Sequence, residues 1–228
     1  MVAHEQIQAW LAKLFRCWGM PETIRVDNGL PFGHGGSDIP PPISMWIMGL
    51  GIKVHWNPPG KPQHNGVVEN IQGLSGRWAE AHSCTCLEEL QKRLDQVSIW
   101  QREVFKPVKL KGRTRTETFP ELNTQKRPYS GKIDPIHIGQ YLAKRCFSRK
   151  VSRTGQAYIL GHRVSIGRQV AEQEVLFQFD AIGHQWKVVD QVGNLIKELQ
   201  NPVPTVDSIT NLKCPHNERK AQLNDTKK

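Results

Sequence analysis

Residues 53–77, KVHWNPPGKPQHNGVVENIQGLSGR, constrain the fold more tightly than any other stretch. The run before it alternates, with Ile52, Val54 and Trp56 on one side, and predicts a short strand. Three prolines in NPPGKPQ remove backbone donors, so the strand must stop there. A helix is then expected from about His64 or Asn65. Val67, Ile71, Leu74 and Trp78 recur at helical spacing and predict its buried stripe. Glu69 lies off that stripe, with Gly73 and Gly76 one and two turns further along. Each internal glycine costs a helix about 1 kcal/mol relative to alanine. Two on one face imply that something approaches it closely, either a DNA backbone or another tightly packed helix. Arg77, one turn beyond Gly73, is placed to reach a phosphate.

A second acid lies upstream. Ile24-Arg25-Val26 reads as a short strand, and Asp27-Asn28-Gly29 as the turn that ends it. On its own this triplet signals only a turn. Paired with Glu69 it suggests more. Phosphodiester transfer by two divalent metals needs carboxylates that converge and hold the ions about 3.5–4 Å apart. Hard oxygen donors suit Mg²⁺ or Mn²⁺. Asp27 and Glu69 are therefore the candidate catalytic and metal-binding residues.

The remaining elements follow from periodicity and punctuation. Residues 4–18 predict an amphipathic helix, with Ile7, Leu11, Leu14, Phe15 and Trp18 inward, stopped by Gly19 and Pro21. Residues 31–42 form a Gly/Pro-rich loop, and 43–50 a short apolar helix. Residues 87–104 predict another helix, with Leu87, Leu90, Leu94 and Val97 inward. His82, Cys84 and Cys86 do not have zinc-site spacing. Five cysteines, an odd number, argue against a disulfide framework and for a reducing compartment. The sequence shows no apolar run long enough for a membrane span and no signal-peptide layout at its start.

Charge is segregated. Residues 106–156 carry 13 Lys/Arg against 3 Asp/Glu, which accounts for the formal net charge of +10, while both flanks are near neutral. This block predicts an extended, nucleic-acid-facing basic linker with one short helix near 135–142, or else a solvated connector. Lys109, Lys111, Arg113 and Arg115 are its leading phosphate contacts. Residues 157–200 hold short β-like runs separated by turns at Gly167, Gly183 and Gly193, which predicts a small barrel. Residues 201–228 are polar and predict a disordered tail.

IRVDNGLPF followed by PPGKPQHNGVVENIQG resembles the second and third acidic segments of DDE transposases and retroviral-type integrases. RWAEAHS extends the likeness to bacterial insertion-sequence transposases. The resemblance covers about residues 4–105. It implies an α/β fold: a partial ribonuclease H-like integrase core over 1–105, then the linker, then an SH3-like DNA-binding β-barrel over 157–200. It makes Asp27 the middle acid and Glu69 the last. Gln63, Asn65 and Lys61 would meet DNA at the helix start. Double-stranded DNA, both element ends and target, is the implied partner. The implied setting is the bacterial cytoplasm, at the nucleoid, with no membrane association.

One departure stands out. The family has an earlier Asp on the first strand of a meander, and such a meander needs roughly 25 residues before the first helix. No Asp precedes Asp27, and neither Glu5 nor Glu22 is placed to substitute. The chain thus reads as an N-terminally truncated form, whose missing strands come from an upstream reading frame or in trans. Two functions follow. One is metal-dependent DNA strand transfer by a homo-oligomer or by co-assembly with a full-length transposase. The other is a catalytically inactive DNA-binding remnant or regulator.

Overall fold

The computed structural model describes residues 4–33, 38–58, 60, 66–124 and 127–210. It divides the chain into two compact units. One comprises Met1–Ala12, Glu22–Trp56 and Ser130–Lys228, the other Lys13–Pro21 and Asn57–Tyr129. The fold is mixed α/β. Helix α1 (His4–Trp18) opens the chain. Ala12 and Phe15 are buried, but Leu14 is 51% and Trp18 40% exposed. Of the five residues expected inward, Phe15 is buried, Ile7 and Leu11 are half-buried, and Leu14 and Trp18 are exposed.

The first unit is built on a β–α–β crossover. Strands β1 (Thr23–Val26) and β2 (Lys53–Trp56) pair in parallel, Thr23 opposite Lys53 and Val26 opposite Trp56. Helix α2 (Pro42–Gly49) connects them. Pro42 suits its first turn, where no backbone donor is needed. Ile43, Trp46 and Ile47 are fully buried or nearly so. Burial of three such side chains stabilises by about 1.5–3 kcal/mol each. Helix α6 (Pro135–Ala143) packs on α2, its N-terminus capped by the Asp134 carboxylate, which accepts the Ile136 N–H at 2.9 Å. Gly139 lets α6 approach the sheet: a Cβ there would lie 3.0 Å from Cε1 of Phe179.

The rest of this unit is β-rich. Strands β3 (Cys146–Lys150), β6 (Glu174–Asp180), β7 (Gln185–Val189) and β8 (Leu195–Leu199) form one antiparallel sheet in that order. Strands β4 (Gln156–Ile159) and β5 (His162–Ser165) form a separate hairpin. Alternation places Val175, Phe177 and Phe179 of β6 inward, around a fully buried Trp186. The Trp186 ring meets Phe147, Phe177 and Phe179 edge-on at 5.0–6.2 Å, and its indole N–H donates to the Pro202 carbonyl at 2.7 Å.

Three expectations change here. Among the described residues the strands close no barrel. The sheet begins at Cys146, inside the segment expected as linker, because Phe147 and Val151 are buried between exposed charges. Nor is the stretch after 201 wholly irregular. Helix α7 (Val206–Thr210) buries Ile209 and packs against α2, while residues 211–228 lie outside the described set.

The second unit holds helices α3 (Gly66–Trp78) and α4 (Leu87–Glu103). Trp78, Trp100 and Phe105 form an aromatic cluster with centroids 4.8–5.3 Å apart, and Gln101 donates to the Ser75 hydroxyl across the helix pair. Such ring pairs add about 0.5–1.5 kcal/mol beyond their burial. Leu87, expected inward, is 79% exposed, whereas Leu90, Leu94 and Val97 are half-buried. Leu87 occupies the first turn, ahead of the contact with α3. The basic stretch after α4 is ordered into short helical turns, among them α5 (Arg115–Thr118), which Thr114 and Glu117 close with a reciprocal capping box. Among the described residues no helix is long and apolar enough to cross a membrane.

Candidate functional site

Asp27 directly follows β1, at the carboxyl end of the parallel pair. In open α/β sheets, this is the end where ligands bind. The aspartate is exposed. One carboxylate oxygen accepts the Gly29 N–H at 3.2 Å, a local turn that leaves most of its lone pairs open. The loop beyond is held firmly. The Gly33 N–H donates to the Gly29 carbonyl at 2.7 Å. The Phe32 carbonyl accepts both the Ser44 hydroxyl of α2, at 3.0 Å, and the Trp56 indole N–H of β2, at 2.8 Å. Gly33 itself admits no side chain, since a Cβ would fall 1.8 Å from the Asn28 carbonyl oxygen. The turn that carries Asp27 is thus anchored to both elements that follow it.

Glu69 sits in the first turn of α3, on the solvent side. A carboxylate there is favoured by the helix dipole. Nothing lies within 4 Å of a Cβ built at Gly66, Gly73 or Gly76. No neighbouring helix among the described residues therefore accounts for these glycines. Arg77, on the same face, donates from Nε to the Gly73 carbonyl at 3.2 Å and stays exposed. Glu69 and Arg77 thus flank an open, glycine-floored strip about two turns long. Asp27 belongs to the first unit and Glu69 to the second.

The other predicted contacts divide. Lys61, Gln63 and Asn65 lie outside the described residues, as does the side chain of Val67. Lys109, Lys111 and Arg113 are exposed and sit on tight turns, Lys111 at φ 51°. Arg115 is half-buried. Its guanidinium donates to the Gln101 carbonyl and lies 5.9 Å from the Phe105 ring centre. Arg115 therefore has a packing role that the sequence did not signal.

The hairpin region contributes a feature that sequence reasoning missed. Lys150, Arg153, Tyr158 and Arg163 border a surface cleft of about 390 Å³. Arg163 donates to the Tyr158 hydroxyl at 3.0 Å, with its guanidinium 5.6 Å from that ring's centre. Tyr158 is 54% exposed, so its ring is available for stacking. The signal was present in QAYI and HRVS, where Tyr158 and Arg163 are paired across the hairpin.

Among the described residues no group of three or more His, Cys, Asp or Glu gathers to hold a metal, and that includes His82, Cys84 and Cys86. No known protein-family model matches the chain.

Proposed function

We propose that this chain is a DDE-type transposase or integrase polypeptide that binds double-stranded DNA and contributes to metal-dependent strand transfer. In this reading β1–α2–β2–α3 is part of a ribonuclease H-like core, and β3–β8 is an SH3-like DNA-binding module. The order strand, acid, helix, parallel strand, helix with acid agrees with it. The observation that carries it is the open face of α3: a carboxylate and an arginine border two glycines that no packing among the described residues explains.

Both acids suit Mg²⁺ or Mn²⁺ as donors, being hard, exposed oxygens with few competing hydrogen bonds. Asp27 and Glu69 would hold the ion, which when bound supplies activation of the attacking hydroxyl and charge neutralisation at the phosphate. The remaining work falls to the chain. The bonds from Ser44 and Trp56 to Phe32 fix the Asp27 turn, so the carboxylate need not be ordered when substrate arrives. The glycine strip admits a sugar-phosphate backbone against α3. Arg77, Lys109, Lys111 and Arg113 position phosphates without reading bases. The setting would be the bacterial cytoplasm, at the nucleoid, with the chain acting as a homo-oligomer or with a full-length transposase.

The test is strand transfer on a labelled end oligonucleotide with Mn²⁺, alone and with full-length transposase added. Asp27→Ala and Glu69→Ala should each abolish any activity that the chain supports. Activity that survives Asp27→Ala would refute the site. DNA binding without strand transfer in either setting would favour the regulator.

A further inference from the structure

A second cleft, of about 410 Å³, opens in the first unit between β2 and α6. Its walls carry Lys53 and His55 from β2, and His137, Gln140, Tyr141 and Lys144 from α6. Lys53 and His55 share one face of β2, and Val54 and Trp56 the other, where the Trp56 ring meets Tyr141 of α6; residues of both faces line the cleft, which follows the edge of the strand. His137, Gln140, Tyr141 and Lys144 are spaced by three and four residues, so they share one face of the helix. No aspartate or glutamate lines the cleft, and neither lysine forms an ion pair among the described residues. Arg25, opposite His55 on β1, adds a further positive charge nearby.

Tyr141 supplies an independent sign. Its hydroxyl is buried and has no hydrogen-bond partner among the described residues. An orphaned buried hydroxyl costs about 1–3 kcal/mol. Its ring is held by Trp56, at 5.9 Å, and by the Arg145 guanidinium, at 4.5 Å, so it is a fixed wall rather than a loose one. Unneutralised lysines from two elements, with imidazole and amide groups among the lining residues, are a donor set that suits a tetrahedral oxyanion.

We infer that this cleft binds a phosphate group, and that its natural source is the backbone of double-stranded DNA. Naming DNA as the source rests on the function proposed above, whereas the anion site does not depend on Asp27 or Glu69. The same chemistry would serve a free phosphate or a small phosphorylated molecule, and the test separates these sources.

The histidine ring signals of the full chain are followed by NMR during titration with inorganic phosphate and, separately, with a 20-base-pair duplex. Both should move His55 and His137, the duplex at lower concentration. The Lys53→Gln/Lys144→Gln variant should bind the duplex about tenfold or more weakly. It should also reduce the salt slope by about 1 for each lysine. The Trp186 indole signal, from the core of the β3–β6–β7–β8 sheet, reports whether the variant is folded. A response to phosphate but not to duplex would keep the anion site and overturn DNA as its source. No response of either histidine to either titrant would overturn the site itself. Because Asp27 and Glu69 are untouched, strand transfer can fail while this cleft still binds, and the reverse.

Discussion

At the scale of single residues, the glycines of α3 give the sharpest discrimination between folding and function. Gly73 and Gly76 face open space, so alanine meets no obstacle at either position. Gly73→Ala and Gly76→Ala should each stabilise the chain by about 1 kcal/mol, read as a higher midpoint in urea. If a DNA backbone approaches this face, the same changes should weaken duplex binding. Stabilisation with unaltered DNA affinity would remove the face from the interface. Asp180 offers a different residue-scale prediction. The Lys187 ammonium, at 2.8 Å, and the backbone N–H groups of Gly183 and Ile182 hold its carboxyl down at about 2, below the ordinary 3.8. A depressed acid contributes stability above its ordinary value, and that contribution disappears as pH falls through the folded value. The Tm difference between the wild type and Asp180→Asn should therefore be constant from pH 7 to about 4 and shrink between 4 and 2. A difference that persists at pH 2 would show that the residue acts through packing.

At the scale of elements, what could be read from the sequence depended on whether the signal was periodic. The β1–α2–β2–α3 order, the helix over 135–142 and the C-terminal strand pattern all follow from alternation or from Pro/Gly punctuation. What escaped had a physical reason in each case. Strand β3, CFSRK, shows only Phe147 inward and three residues later reads as basic linker; its partner β6 makes it a strand. Leu87 and Trp18 sit at apolar helical positions, but periodicity names a face and not its cover. Arg115 looked like one more linker cation, and only the Phe105 ring and Gln101 carbonyl reveal its packing. Of the candidate site, Asp27 and Glu69 were legible from turn and helix signals, whereas the β2–α6 cleft needs the two elements brought together. The β1–β2 pair carries its own prediction. A two-stranded sheet is marginal alone, and within the described residues each strand has one edge without a ladder partner. The purified chain should dimerise or aggregate on size exclusion with light scattering. A monomer with one sharp melting transition would contradict this.

At the scale of the whole molecule, acidic and basic groups fall into two distinct sets. The acidic candidates are two separate carboxylates, Asp27 on an anchored turn of one unit and Glu69 on an open helix face of the other. The other set is basic and spread over Arg77, the turns at 109–113, the β2–α6 cleft and the Tyr158–Arg163 hairpin. Cationic surfaces of this kind give affinity without sequence preference, and that affinity falls steeply with salt. The proposed strand transfer, by contrast, requires the two acids to share an ion, and the proposed function turns on this. It is tested most directly by paramagnetic broadening: amide signals of the full chain recorded during addition of Mn²⁺, for the wild type, Asp27→Asn and Glu69→Gln. Mn²⁺ should broaden the Asp27–Gly29 turn and the first turn of α3 together, and either substitution should relieve both. Broadening at one acid alone, or substitutions that each act only at their own site, would contradict a shared ion.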